Sequence, residues 1–442
     1  MLFRNYFVSL QIIYNLEYML INFSIQNFGS IKEKQTLSFE ADKSQHLEEY
    51  YVVETNGLRL LKLALIYGAN ASGKTTILKA LDFLQTLVLN PKIQKTELFK
   101  FEPFKFHDKT PKQNTIFEIE FIQKDVRYLY EVELNKKAII REDLFAYSPR
   151  KSNVFNRTTN FENQTAKIEF GSKIKVSKSA EEALENNTLW NNTVLGGFLK
   201  TNIELKELKD TMDWFRDYLS ISLNHNYIEE EIFNANKKSI LSIIRKADFN
   251  ISNIVIKPRT IDEYSFAQDN ETRKSVEEWV EFQNSLGHKT IEFEHSVNNK
   301  NYLLDFTDKS EGTQKYYRMA GILFTLIKYS KALSIDELES SLHPDLFQHF
   351  LLSFLVNSKK SQIIATTHNR EILNNKDIFR NDAIWITDKD NKDCATELYS
   401  LADFGTTVIR DTTNVLNAFK LGKLGGVPNL GSYYINVNDE NK

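Results

Sequence analysis

Leu63-Ala64-Leu65-Ile66-Tyr67-Gly68-Ala69-Asn70-Ala71-Ser72-Gly73-Lys74-Thr75-Thr76 decides how the rest of the chain is read. An apolar run of strand length meets a glycine-bounded turn. The turn opens into Ile77, Ala80, Leu81, Leu84, Leu87 and Val88, spaced by threes and fours as on one face of a helix. This predicts strand, loop, helix. The loop fits G-x-x-x-x-G-K-[ST], and each fixed position has a physical task. Gly68 and Gly73 let the backbone fold back so that successive N–H groups and the helix N-terminus point at phosphate oxygens. Asn70, Ala71, Ser72 and Thr76 complete the cradle. The Lys74 ammonium can reach β- and γ-phosphates, and the Thr75 hydroxyl can ligate Mg²⁺. The competing reading is a glycine-containing turn with a stray lysine, which needs neither the strand before it nor the helix after it.

The chain has 442 residues, enough for two or three domains or for one large α/β domain with insertions. Its 56 basic and 59 acidic residues nearly cancel, so no field of one sign covers it and wholesale nucleic-acid wrapping gains no support; a local basic patch stays open. Cys394 is the single cysteine, which excludes an internal disulfide and a cysteine zinc cage and points to a reducing cytoplasm. No apolar run is long enough to span a bilayer. Residues 1–18 have an arginine before a mostly apolar run, as a secretory signal would. Gln11 and Asn15 interrupt that run, and no small-residue cleavage site follows. They are set apart as an N-terminal extension, with Met19 as a candidate start.

Residues 19–171 form a first lobe. Ile21, Phe23 and Ile25 alternate with polar neighbours, Asn27-Phe28-Gly29-Ser30 turns the chain, and 36–39 returns. After the phosphate-loop helix, 116–122 and 128–134 alternate as an antiparallel hairpin, with a further strand near 137–144. Residues 172–250 change character and are expected to be a helical insertion. Leu205, Leu208, Met212, Phe215 and Leu219 make a seam too short for a coiled coil, so the insertion is expected to bury that stripe on itself. Residues 251–442 form a second lobe, with strands at 251–256, around Phe293 and at 302–306, and a polar, charged stretch at 257–287.

Three further motifs decide what kind of machine the loop serves. Lys331-Ala332-Leu333-Ser334-Ile335-Asp336-Glu337 is a strand ending in two acids. Asp336 is placed to hold Mg²⁺ through water, and Glu337 to polarise an attacking water as general base; otherwise the pair is a solvated acidic turn. Ile363-Ile364-Ala365-Thr366-Thr367-His368 is a second apolar strand ending in polar residues, where His368 can reach a γ-phosphate or the attacking water; otherwise it is a structural histidine. Ser310-Glu311-Gly312-Thr313-Gln314 opens an amphipathic helix and joins a hydroxyl, a glycine N–H and a helix N-terminus. Alone, it is an ordinary helix start capped by Ser310.

Together with Ser341-Leu342-His343-Pro344, these motifs resemble the Walker A, signature, Walker B, D-loop and switch-histidine elements of ABC-type ATPase heads of the chromosome-maintenance and recombination class. Within that class the chain is similar to the prokaryotic AAA-type ATPases of phage-defence systems, related to the overcoming-lysogenisation-defect group. Met19, Asn27-Phe28, Glu311-Gly312-Thr313, Leu342-His343-Pro344 and Gly422-Lys423-Leu424-Gly425-Gly426-Val427-Pro428 contribute to that likeness. The resemblance implies an α/β P-loop NTPase fold, an ABC-type head with an antiparallel β subdomain. It also implies ATP and Mg²⁺ as ligands, and a homodimer or larger even-numbered oligomer in which Ser310, Gly312 and Thr313 of one copy meet the nucleotide of the other. Ser-Glu-Gly-Thr-Gln departs from the Leu-Ser-Gly-Gly-Gln of transporters, which leaves the alignment of Thr313 open. Gln94 and Gln113 both remain candidates for the Gln-loop residue.

About seventy residues follow His368, too few for an appended Toprim nuclease, and Asp388-Lys389-Asp390 with Asp393 reads as a solvated turn rather than a metal site. The expectation is therefore a cytoplasmic ATP-hydrolysing switch of antiphage defence that answers a phage-derived trigger and controls a separate nuclease or toxin subunit, with no membrane partner. The main alternative is a DNA-repair or DNA-end-binding ATPase of the recombination type. A scaffold that binds ATP without turnover is a third reading, disfavoured by the intact Glu337.

Overall fold

All six residues of strand β5 (Leu63–Gly68) are buried, and the reason is its place in a sheet covered on both faces. The computed structural model describes residues 17–222, 230–247, 250–258, 289–389, 392–404 and 414–428. Most of the N-terminal extension and most of the polar stretch at 257–287 lie outside the described residues. The chain divides into two compact units. One comprises Met1–Asn224, Tyr329–Leu338 and Leu355–Lys442; the other comprises His225–Lys328 and Glu339–Phe354.

In the first unit, β5 is flanked by β16 (Gln362–Thr366) and β17 (Ile384–Lys389), both parallel to it. Beyond β16 lie β15 (Ala332–Ile335) and β11 (Leu219–Ser222), also parallel, while β18 (Thr396–Ser400) closes the other edge antiparallel to β17. The order is β11-β15-β16-β5-β17-β18. Every residue of β15 and β16 is buried, which explains why both are mostly apolar, with Ser334, Gln362 and Thr366 as the polar exceptions. Gln362 is buried and satisfied. Its Oε1 accepts from Leu20 N (2.6 Å) and Tyr218 Oη (3.0 Å), and its Nε2 donates to Leu20 O (2.9 Å) and Leu61 O (3.0 Å).

The same unit carries an antiparallel sheet, in which β1 (Tyr18–Gln26) lies between β2 (Gln35–Ser38) and β6 (Thr115–Gln123). It continues through β7 (Val126–Leu134), β8 (Ile139–Tyr147), β9 (Lys151–Asn160) and β10 (Thr165–Phe170), while β3 (Val52–Thr55) and β4 (Leu58–Leu61) pair as a separate hairpin. The expected 116–122/128–134 hairpin is β6–β7. Asn27 explains its own turn. It adopts the left-handed region (φ 55°), and its side chain donates to Thr110 O and Gln113 O and accepts from Phe104 N, at 2.9–3.0 Å. Phe83 on the helix Lys74–Leu89 packs its ring at a tilt against Phe101 and against Phe117 of β6, at centroid distances of 5.1 and 5.7 Å, fastening that helix to the antiparallel sheet.

Residues 172–222 depart from expectation. Helices Lys178–Asn187, Val194–Phe198 and Lys206–Asp213 form, but they belong to the first unit and are not a self-packed insertion. Trp214 stacks on Phe121 (4.3 Å) and Phe215 meets Tyr130 (5.9 Å), so the stripe's Phe215 is buried on β6 and β7. Leu219, expected to end the seam, instead begins edge strand β11.

The second unit packs the helices Glu230–Lys246 and Glu311–Lys328 with β12 (Asn253–Pro258), β13 (Lys289–Val297) and β14 (Lys300–Asp305), an antiparallel sheet. Its core contains Ile240, Ile244, Ile251, Ile254, Phe293, Tyr317 and Ala320. The expected 251–442 lobe is thus divided: β15 and β16 return to the first unit because its parallel sheet needs them on the inner side of β11.

Candidate functional site

Parallel alignment brings the carboxyl ends of β15, β16 and β5 side by side, with Ile335 opposite Ala365 and Thr366 opposite Ile66. The carboxyl edge of an open α/β sheet is where ligands sit. From β5 the chain passes Gly68, where an added Cβ would stand 2.6 Å from Thr387 O, and Gly73 (φ 107°), where it would stand 2.6 Å from Thr396 Cγ2. Both positions therefore require glycine. Asn70 and Ala71 are exposed at the tip, and Ala71 takes the left-handed region (φ 61°). Buried Lys74 donates to Gly68 O (2.9 Å) and Ala69 O (3.0 Å), so its ammonium is held inside the curve of its own loop.

Asp336 and Glu337 follow β15, which is separated from β5 by β16 alone. Thr75 Oγ1 donates to Asp336 Oδ2 at 3.0 Å. Thr366, at the end of β16, donates its hydroxyl to Asp336 Oδ1 and accepts from Glu337 N at 2.8 Å. Leu338 N adds a bond to Thr366 O (3.1 Å). This clasp holds Glu337 at φ 46°, a backbone region that costs an L-residue about 1–2 kcal/mol, and leaves its side chain exposed. His368 is exposed just beyond β16, after Thr367, whose N–H bonds Ile66 O at 3.0 Å. The loop, Asp336, Glu337 and His368 therefore stand on adjacent strand ends of one unit.

Three hydroxyls to which the sequence reading assigned no role, those of Ser30, Thr387 and Thr396, brace the loop from behind. Ser72 Oγ meets Thr387 Oγ1 (2.6 Å), Thr396 Oγ1 donates to Ser72 O (2.9 Å), and Ser30 Oγ lies 3.1 Å from Thr76 Oγ1. Each is an isolated Ser or Thr in sequence, and only the topology brings them together. The Gln-loop candidates are placed elsewhere. Gln94 is exposed in a turn, with its N–H on Glu97 (2.8 Å) and its carbonyl on Asn191 (2.9 Å), and exposed Gln113 gives its carbonyl to Asn27. Neither tie leads to the phosphate loop. Asp393 pairs with Lys32 at 2.7 Å, and among the described residues no three acidic, histidine or cysteine side chains cluster as a metal centre.

In the second unit, Ser310 caps the helix Glu311–Lys328. Its Oγ lies 2.9 Å from Thr313 Oγ1 and accepts from Thr313 N at 3.3 Å. The Ser341 hydroxyl donates to Glu311 Oε1 (2.6 Å), and a Cβ on Gly312 would stand 3.1 Å from Ser341 O. The Ser-Glu-Gly-Thr turn and Ser341 are thus bound to each other within that unit.

The strand–loop–helix on a parallel sheet, with an acidic strand end beside it and an antiparallel sheet attached, defines an α/β P-loop NTPase of the ABC-head kind. More narrowly, the chain belongs to the family described as AAA domain, putative AbiEii toxin, Type IV TA system, which matches residues 63–374. That match runs from β5 past His368. No curated protein matches the chain. Among solved structures it is similar to an SMC head bound to the C-winged helix domain of ScpA, at 13% identity and TM-score 0.42, covering 86% of this chain and 97% of that one. It is also similar to the SMC head domain from Thermotoga maritima (12%, 0.39, 86% and 98%). A third is the Smc head domain with an extended coiled coil bound to the C-terminal domain of ScpA derived from Pyrococcus furiosus (12%, 0.41, 87% and 96%). Among the described residues no helix is long and apolar enough to cross a membrane.

Proposed function

We propose that this chain is a cytoplasmic, Mg²⁺-dependent ATPase that works as a dimer and serves as the switch of a prokaryotic antiphage system, controlling a separate effector. The observation that carries the ATPase reading is the Thr75–Asp336–Thr366–Glu337 clasp beside a glycine-bounded loop. A hydroxyl and a carboxylate within 3.0 Å give the hard, all-oxygen donor set that suits Mg²⁺. Thr75 and Asp336 would hold the ion, which when bound would neutralise charge between β- and γ-phosphates.

The chain's own groups do the rest. The 68–76 backbone and Lys74 bind the phosphates, and Glu337, exposed on its clasped turn, takes a proton from the attacking water. His368 orients that water or the γ-phosphate. Ser310, Gly312 and Thr313 supply hydroxyl and N–H donors to the nucleotide of the second copy. In this arrangement hydrolysis waits on subunit contact.

The defence reading is supported by the family description, which names a putative toxin of a type IV toxin–antitoxin system. The test is turnover by the purified chain with Mg-ATP at rising protein concentration. The proposal expects a specific rate that climbs with dimerisation. A rate independent of concentration and of Mg²⁺ counts against it.

A further inference from the structure

The glycine-rich run Gly422-Lys423-Leu424-Gly425-Gly426 has no part in the chemistry above, yet it lies against the phosphate loop. Helix Val415–Lys420 presents Phe419, 2% exposed, edge-on to Tyr67, with centroids 6.1 Å apart and planes at 69°. Tyr67 is the residue before Gly68. The chain then turns through Gly422, Gly425 and Gly426, all left-handed. A Cβ on Gly426 would stand 2.7 Å from Ile386 Cγ2, 3.3 Å from Thr387 O and 3.4 Å from the Cα of Gly68, so only glycine permits this approach to the loop. Buried Leu424 fixes the turn by accepting from Tyr399 Oη at 2.9 Å. The Phe419 ring also receives the Arg370 guanidinium, 5.4 Å from its centroid and within cation–π range. Arg370 lies two residues after His368, on the loop that leaves β16.

One ring therefore touches the entrance of the phosphate loop and the loop that carries His368. Close-packed groups do not yield independently, so a shift at Tyr67 and Gly68 must be met by Phe419 and felt by Arg370. We infer that Phe419 is a positioning residue that couples nucleotide occupancy of the phosphate loop to the His368 loop, and that the 415–428 segment reports that occupancy. The inference rests on the proposed nucleotide binding and adds the element that reads it.

The test is hydrogen–deuterium exchange of the full chain with and without a non-hydrolysable ATP analogue. Protection at 366–374 and at 415–428 is expected to change together. Phe419→Leu keeps the apolar bulk and removes the ring; it should abolish the analogue-dependent change at 370–374, the part of the loop that Arg370 ties to the ring, while leaving analogue affinity within about threefold. Phe419→Tyr, which keeps the ring, should restore the change. Analogue binding by the wild type with exchange unchanged in both segments overturns the inference and leaves the nucleotide reading standing. Absence of analogue binding overturns that reading and the inference with it. A response at 370–374 retained in Phe419→Leu also overturns the inference.

Discussion

The Thr75 hydroxyl lies 3.0 Å from the Asp336 carboxylate, joining two residues 261 positions apart in sequence. Their meeting follows from β5 and β15 running parallel with β16 between them. Asp336→Asn keeps the shape and removes the charge, so turnover should fall by about two decades or more, the several kcal/mol carried by metal charge stabilisation. A Mg²⁺ titration of the variant should show a raised requirement. An unchanged Mg²⁺ curve would detach Asp336 from the metal.

Glu337 is held by Thr366 and not by contacts of its own carboxylate in the catalytic reading, so Glu337→Gln should leave the fold and nucleotide binding intact. Turnover should drop by about two to four decades, and the ATP-bound dimer should live longer, which sizing chromatography with ATP would reveal. A variant that hydrolyses at the wild-type rate would remove Glu337 from the mechanism.

Lys74 spends its hydrogen bonds on Gly68 O and Ala69 O. Exchanging those neutral acceptors for phosphate oxygens makes the bonds charge-assisted on both sides, each worth about 1.5–3 kcal/mol. Lys74→Ala should therefore weaken ATP binding by about tenfold or more in a fluorescent-nucleotide titration. Wild-type affinity in that variant would undo the phosphate-loop assignment.

A buried acid outside the site predicts a pH effect. Burial pushes the Glu142 carboxyl up to about 7, although Arg157 and the bonds from Val194 N (2.7 Å) and Tyr130 Oη (2.9 Å) work in the other direction. A carboxyl raised above its ordinary value of 4.5 binds more protons folded than unfolded, so its contribution is fully present below about pH 4.5 and lost as pH rises through 7. Glu142→Gln should flatten that part of the melting-temperature profile between pH 5 and 8. It should also cost about 1–3 kcal/mol, because one buried donor loses its acceptor. An unaltered slope would show that Glu142 does not titrate in this range.

The strand–loop–helix at residues 63–89 and the acidic strand end were legible because both signals are local: an unbroken apolar run, then polar residues of fixed type. The β6–β7 hairpin was legible for the same reason, through alternation. Leu219 was misread because three-and-four spacing continues across a helix end, and nothing in its neighbours shows that β15 offers a free edge. The helical stripe was expected to pack on itself because the aromatic face formed by Phe121 and Tyr130 exists only after the hairpin folds. Ser30, Thr387 and Thr396 carried no motif, and their roles arise from strand order. The division of the 251–442 segment is likewise a consequence of which sheet claims β15 and β16.

If Ser310 of one copy completes the nucleotide site of the other, two defective variants should rescue each other when mixed. Lys74→Ala disables the phosphate loop, and Ser310→Arg disables the turn presented to the partner. A dimer holding one of each contains one intact site and one doubly broken site. Equal mixing should thus recover about a quarter of wild-type ATP turnover, since half the dimers are mixed and each has one working site of two. Turnover that remains at the level of the separate variants, with mixed dimers shown to form, would contradict the account.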